Sequence, residues 1–217
     1  MEVIQRKIMV PASHSFIINE LDLTKNRGVV HNHDNYELNY MVNARGLRYV
    51  AGNVADFYEK DLVLLGPGLP HCWEISNKED LPRSVTIHFN ESFFNTSLFS
   101  IPEFKSIKHL LDEAQNGLFF PRYDDDKLRT LMSALPHLSD FEAIIQMLRI
   151  LKYLSQLQDY QLISPGLHYW NINNFDDDRL KKVHRYVLQH FQQGIRLKGA
   201  ADLINLSEGA FCSFFKR

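Results

Sequence analysis

The sequence predicts an α+β fold in three parts: a small β-barrel over residues 1–95, a helical segment over 96–174, and the first part of a further helical unit over 175–217. Three observations carry this. Val85, Ile87 and Phe89 alternate with polar neighbours, as a strand with one buried face requires, and Leu62-Val63-Leu64-Leu65 is a short buried run. Turn-forming residues recur between such runs: Asn43 to Gly46, Gly52-Asn53, and Gly66-Pro67-Gly68 with Pro70, the punctuation of many short strands. After Asn90 the apolar period lengthens from that of a strand to that of a helix.

The helical segment has recognisable starts. Ser100-Ile-Pro-Glu103 reads as a capping box with proline in the first turn, followed by Phe104, Ile107, Leu110 and Leu111 at helical spacing. Another helix begins near Asp126 and is closed by Pro136. A second box, Ser139-Asp-Phe-Glu142, opens the strongest helix, in which Phe141, Ile144, Ile145, Leu148, Leu151 and Leu154 form one apolar face to about Gln158. That face fits either a dimer seam or a cover for the barrel. Ser164 to Asn174, rich in Asn, Gly and Pro, is the expected linker, and Asp176-Asp-Asp178 then places negative charge on a helix's first turn.

Composition bounds the answer. A hydrophobic content of 45% with 23% charged residues supports a buried core. The two cysteines, Cys72 and Cys212, lie far apart and point to no disulfide framework, which fits a reducing, cytoplasmic setting. No run approaches the roughly 18 apolar residues of a membrane span. From Arg179 onward eight basic residues face two acidic ones, a local charge of +6, so the rest of the chain carries −8. An acidic body with a basic end suits a protein whose end meets phosphate.

The most chemical stretch is Gly28-Val-Val-His31-Asn-His33-Asp-Asn-Tyr-Glu37. Read as one strand, it places His31, His33 and Glu37 on one face, because alternate side chains point the same way. His71 follows the Gly66–Pro70 turn at the end of a buried run. Three imidazoles and a carboxylate inside a small barrel could hold a divalent metal (Zn, Ni, Fe or Mn), contact a ligand directly, or pack the barrel mouth. Tyr36, Tyr40, Phe57 and Trp73 supply aromatic surface nearby, suited to stacking on a sugar or to the core, with Tyr36 and Trp73 taken as ligand-binding candidates.

These residues resemble the two cupin motifs, a His-x-His with a later Glu completed by a His from a second strand pair. The resemblance covers residues 10–90 and implies a cupin-like sensor barrel. It departs at Lys60-Asp61, where the second motif commonly has Gly-Asp, so a different turn is expected there.

The last stretch reads as two helices joined by a tight turn. Leu197, Ala201 and Ile204 face a core, Asn205 takes the left-handed turn, and Ser207 caps a helix that buries Phe211, Phe214 and Phe215. Gly209, Ser213 and Lys216 lie on the opposite face and, with Ser207 and Arg217, are the candidate DNA contacts. The Ala-x-x-x-x-Leu-Ser run leading to Phe-Lys-Arg is similar to the first helix-turn-helix of the AraC/XylS family of transcriptional regulators. Ser213 stands where that family is often basic, and Gly199 is expected to weaken its helix by roughly 1 kcal/mol. The resemblance implies a DNA-binding unit of two such elements, of which this sequence holds the first.

The expected function is a cytoplasmic, non-enzymatic, sequence-specific DNA-binding transcriptional regulator. The expected partners are double-stranded DNA, a small carbohydrate effector in the barrel, and a second copy in a homodimer. The alternatives are a metal-dependent cupin enzyme, an isomerase or dioxygenase using His31, His33, Glu37 and His71 as ligands, and a sugar-binding module. The basic helical end favours the regulator.

Overall fold

Strand alternation decides the architecture, because a strand in the interior of one sheet is buried on both faces. That strand is β4 (Tyr36–Val42), of which Tyr36 to Met41 are buried. The computed structural model describes residues 3–11, 14–25, 28–90, 93, 96–165, 179, 182–183, 186–187 and 195–215. Besides β4, its strands are β1 (Ile4–Gln5), β2 (Phe16–Asp22), β3 (His31–Asn32), β5 (Gly46–Val50), β6 (Asn53–Phe57), β7 (Leu62–Leu65), β8 (His71–Ile75), β9 (Arg83–Phe89), β10 (Leu118–Phe119) and β11 (Gln161–Leu162).

The strands form two facing sheets rather than one closed barrel. One runs β1-β3-β8-β5-β6 and the other β11-β10-β7-β4-β9-β2. The chain leaves the first sheet after Asn32 and enters the second at Tyr36. Met41, Val50, Phe57, Val63, Leu65 and Trp73 pack between the sheets. On the other face of the six-stranded sheet, Leu38, Leu62, Leu64, Ile87 and Phe89 meet the helices. The even and odd positions of β4 thus serve two cores.

The helical layer consists of α1 (Thr96–Phe99), α2 (Lys105–Ala114), α3 (Asp125–Ala134) and α4 (Asp140–Leu154). The Ser100–Glu103 box opens only a single 3-10 turn, Pro102–Phe104, and α2 starts one residue later. Ser139 has the extended backbone of an N-cap, but its side chain accepts no capping hydrogen bond. The working cap is Asp124, whose Oδ1 accepts from the Lys127 amide at 3.1 Å and starts α3.

On α4, Met147, Ile150, Leu151 and Leu154 are buried in the core, and Ala143 and Leu148 pack against it half-buried. Only Phe141 of its apolar residues is left well exposed, at 68%. Half of the apolar face expected to form a dimer seam, Leu148, Leu151 and Leu154, is therefore taken up by the core, while Ile144 and Ile145 stay half-buried. Residues 166–174 of the expected linker, and Asp176 to Asp178, lie outside the described residues.

The turn at Lys60 also differs from its expectation. Lys60 has φ 69°, the left-handed conformation that glycine takes without cost, so the turn keeps a glycine-type shape with a lysine in it. Its ammonium lies 3.0 Å from Asp125 on the first turn of α3.

Candidate functional site

His31, His33, Glu37 and His71 converge between the two sheets, their ligating atoms all within 4.8 Å of one another. They do not share one strand face, as the sequence pattern implied. His31 pairs directly with His71 across β3 and β8, while Glu37 reaches over from β4 in the opposite sheet. His33 sits where the chain crosses between sheets, and its Nε2 lies 2.8 Å from Glu37 Oε2. His71 Nε2 lies 3.2 Å from the same oxygen.

A fifth residue completes the group. His88, opposite Glu37 in the β4–β9 register, has its Nε2 3.1 Å from that oxygen. Asn39 donates its amide to the other oxygen, Glu37 Oε1, at 3.0 Å. Neither residue stood out in the sequence. The alternation of β9 reads as one buried and one solvent face, whereas its polar positions Ser84, Thr86 and His88 are as buried as Ile87 and Phe89. They face the space between the sheets rather than solvent.

The backbone fixes the imidazole tautomers. The Nδ1 atoms of His31, His33 and His71 lie 3.0, 3.1 and 2.8 Å from the carbonyls of Val29, Asn35 and Leu69. A carbonyl only accepts, so Nδ1 carries the proton and each Nε2 presents a lone pair in the neutral ring. Burial, with repulsion from His71, pushes the His31 pKa down to about 3. Burial also lowers that of His33, against the pull of Glu37. Burial opposes charge on Glu37, but the electrostatic pull of His71 and the close approach of the imidazoles of His33, His71 and His88 outweigh it and hold the carboxyl well below its usual range.

Neutral imidazoles aiming lone pairs at a carboxylate repel it unless a cation sits among them. His71 Nε2 is buried and makes no hydrogen bond among the described residues. Donors around a metal at about 2.1 Å stand about 3–4 Å apart, comparable to the separations here. The residues present therefore fit a divalent ion, with backbone carbonyls orienting the ligands from behind. Arg6 Nη1, 3.4 Å from His31 Nε2, would have to give way. Cys72 is no competitor, since burial, aided by Glu74, pushes its thiol up to about 12.

The group opens into a cavity of about 610 Å³ of mixed lining, with Asn19, Asn39, Ser84 and Thr86 beside Trp73 and Met41. Trp73 flanks the site, its ring 5.7 Å from that of His71. Tyr36 does not reach it. As an even residue of β4 it faces the helices, stacked on Phe89 and accepting from Gln115 Nε2 at 3.2 Å. Tyr40 shares that face and donates to Asp125, while Phe57 is core between the sheets. A larger cleft of about 1050 Å³ lies beside α3. Two of its rim cations are already committed, Arg83 to Glu20 and Lys60 to Asp125.

At the other end of the chain, α5 (Leu197–Asp202) and α6 (Glu208–Phe215) pack about a separate apolar cluster of Val183, Ala200, Ala201, Ile204 and Phe211. Asn205 has φ 56° in the turn between them, and Ser207 Oγ accepts from the Ala210 amide at 3.2 Å. Leu197, expected in this core, is 42% exposed, and Ala200 takes its place. Gly199 has a packing reason: a Cβ there would run into the Tyr186 hydroxyl. Gly209 and Ser213 lie on the exposed face, the Ser213 hydroxyl donating back to the Gly209 carbonyl. Lys216 and Arg217 lie outside the described residues.

No family model matches the chain, and no curated protein matches it. Several solved structures superpose on it at low identity. The AraC-like transcriptional activator CuxR superposes with a TM-score of 0.40 at 10% identity, over 89% of this chain and 64% of that one. ToxT from Vibrio cholerae O395, bound to a naphthalenyl-butenoic acid, gives 0.43 at 13% identity, over 94% and 76%. Wild-type ToxT from strain SCE256, bound to an unsaturated fatty acid, gives 0.44 at 12%, over 96% and 93%. The chain thus spans about 64% of the length of CuxR. At this level of likeness the functional reading rests on the residues of this chain. No helix among the described residues is long and apolar enough to cross a membrane.

Proposed function

We propose that the chain is a ligand-responsive transcriptional regulator of the AraC type, not an enzyme. In this reading the space between the sheets is a cupin-like sensor and α5–α6 is a helix-turn-helix that meets DNA. The observation that carries it is the division of labour. Five buried polar residues, Glu37, Asn39, Ser84, Thr86 and His88, line one cavity, and the capped helix pair folds about its own apolar cluster. A metal enzyme or a plain sugar-binding module would need the first and have no use for the second.

His31, His33, Glu37 and His71 would hold a divalent ion, which supplies a fixed positive charge to which a ligand oxygen can bind. The donor set suits Zn, Ni, Fe or Mn. The effector is a small molecule, a carbohydrate in our reading. Occupancy reaches the helices through β4, whose odd residues line the cavity while Tyr36 and Tyr40 hold Gln115 and Asp125 on its other face. The molecule works in the cytoplasm as a homodimer.

Gly209, Ser213 and Lys216 face the DNA, Ser207 and Arg217 flank them, and the basic residues from Arg179 onward supply the phosphate contacts. Fluorescence titration of the 217-residue chain against random duplexes at two salt concentrations tests this. Weak binding is expected, steeply lost with salt, because one reading helix offers few base contacts, each worth roughly 1–3 kcal/mol. Lys216→Ala should weaken it almost equally on all sequences. Absence of binding at low salt, or affinity indifferent to salt, would contradict the reading.

A further inference from the structure

We propose that Asn39 and His88 form an acceptor pair that selects a neutral, hydroxyl-bearing ligand in the cavity between the sheets. This rests on the sensor reading above and names the chemistry its effector must have.

The argument starts from Glu37. Its carboxylate can only accept, so Asn39 and His88, which lie outside the ligand set that presents lone pairs to an ion, must each turn a donor toward it. That requirement settles two otherwise ambiguous orientations. Asn39 must turn its NH2 toward Glu37 Oε1, which leaves its carbonyl oxygen on the other side. His88 must carry its proton on Nε2, toward Glu37 Oε2, which leaves Nδ1 of the neutral ring as an acceptor.

Both leftover atoms, Asn39 Oδ1 and His88 Nδ1, are buried and make no hydrogen bond among the described residues. Both residues are more than nine-tenths buried and line the cavity. A buried acceptor without a donor is costly, and two that share one carboxylate and one cavity define what should enter. An incoming molecule must bring hydrogen-bond donors.

The surroundings agree. In the β4–β9 register Asn39 faces Thr86 and Glu37 faces His88, so the two acceptors are diagonal neighbours on one surface. Ser84 and Thr86 extend it with hydroxyls 3.5 Å apart, each able to donate or accept. Trp73 provides an aromatic wall beside His71. Vicinal hydroxyls above a ring satisfy this surface; a molecule with acceptors alone leaves both orphans unmet.

Calorimetry on the whole chain at saturating zinc tests the pair. The probes are arabinose, xylose, glucose, galactose and myo-inositol, with acetate and hexanoate as acceptor-only controls. At least one polyol should bind. Asn39→Leu and His88→Phe should each weaken it about tenfold or more, because a site built for hydroxyls loses most when its partner atom goes. His88→Gln should retain binding, since its amide can donate to Glu37 and still offer an oxygen. Melting curves and zinc content identify any variant that has not folded, and the His88→Gln result then decides alone.

The inference fails if no polyol binds at about 10 mM, if a carboxylate binds while every polyol does not, or if Asn39→Leu and His88→Phe bind as tightly as wild type. A chain that binds a polyol but no DNA upholds this inference and removes the regulator. One that binds DNA but no polyol does the reverse.

Discussion

Glu37 on β4 and His88 on β9 are direct partners across paired strands, His88 Nε2 donating to Glu37 Oε2 at 3.1 Å. The same oxygen faces His33 and His71, and the second oxygen takes the Asn39 amide. One buried carboxylate therefore organises four neighbours. Removing it strands two buried donors at once, the Asn39 amide and His88 Nε2. Glu37→Leu is expected to destabilise the chain by about 3 kcal/mol, read from urea unfolding at neutral pH. A loss below about 1 kcal/mol would mean the cluster is not held by this residue.

The histidines give the metal-free protein a pH dependence with a definite sign. His31 and His33 titrate lower in the folded chain than their ordinary value of 6.5, His31 falling to about 3. Above that ordinary value both states are neutral and the pair adds no slope. As pH falls below 6.5 the unfolded chain binds protons that the folded chain refuses, so stability drops. Glu37, also lowered, adds to the loss at more acid pH. Melting of chelator-treated protein from pH 8 to pH 4 should show the decline beginning near pH 6.5; a flat or rising profile would contradict it.

Gly66 marks where the sheet meets the helices. Its amide donates to the Ala114 carbonyl at 2.7 Å, and a Cβ there would lie 2.8 Å from that oxygen and 2.9 Å from Gln115 Cα. Backbone cannot yield as a side-chain tip can. Gly66→Ala should cost about 2 kcal/mol in the same unfolding assay.

The positions of the site residues were legible in the sequence, but the way they come together was not. His31, His33, Glu37 and His71 stood out by spacing, yet spacing alone put three of them on one strand. The crossing between sheets at residues 33–35 is marked only by the turn-forming pair Asp34-Asn35, which the even spacing of His31, His33 and Glu37 masks. His88 was hidden because alternation in β9 reads as core against solvent, whereas its polar face looks into a cavity. Tyr36 was placed in the site by nearness to Glu37, although adjacent strand residues point apart. Asn205 and Ser207 were readable because left-handed turns and N-caps are local chemistry. The Ser139 box failed because a cap needs its side chain turned inward, which the pattern cannot specify.

Self-association can be separated from folding on α4. Phe141 is exposed, whereas Leu148 packs against the core. If the chain dimerises through this helix, Phe141→Asp should yield monomers in sedimentation with the melting temperature unchanged. Leu148→Asp should instead lower the melting temperature, by burying a charge at the core's edge. A wild-type chain that sediments as a monomer at micromolar concentration would remove the dimer.

The account turns on the ion among the histidines, and diffraction at the metal's absorption edge tests it most directly. Crystals grown with Zn, Ni, Fe or Mn should show one anomalous peak per chain, about 2.0–2.2 Å from the ligating atoms of His31, His33, His71 and Glu37. No peak there at saturating metal, or a peak only at surface residues, would contradict it.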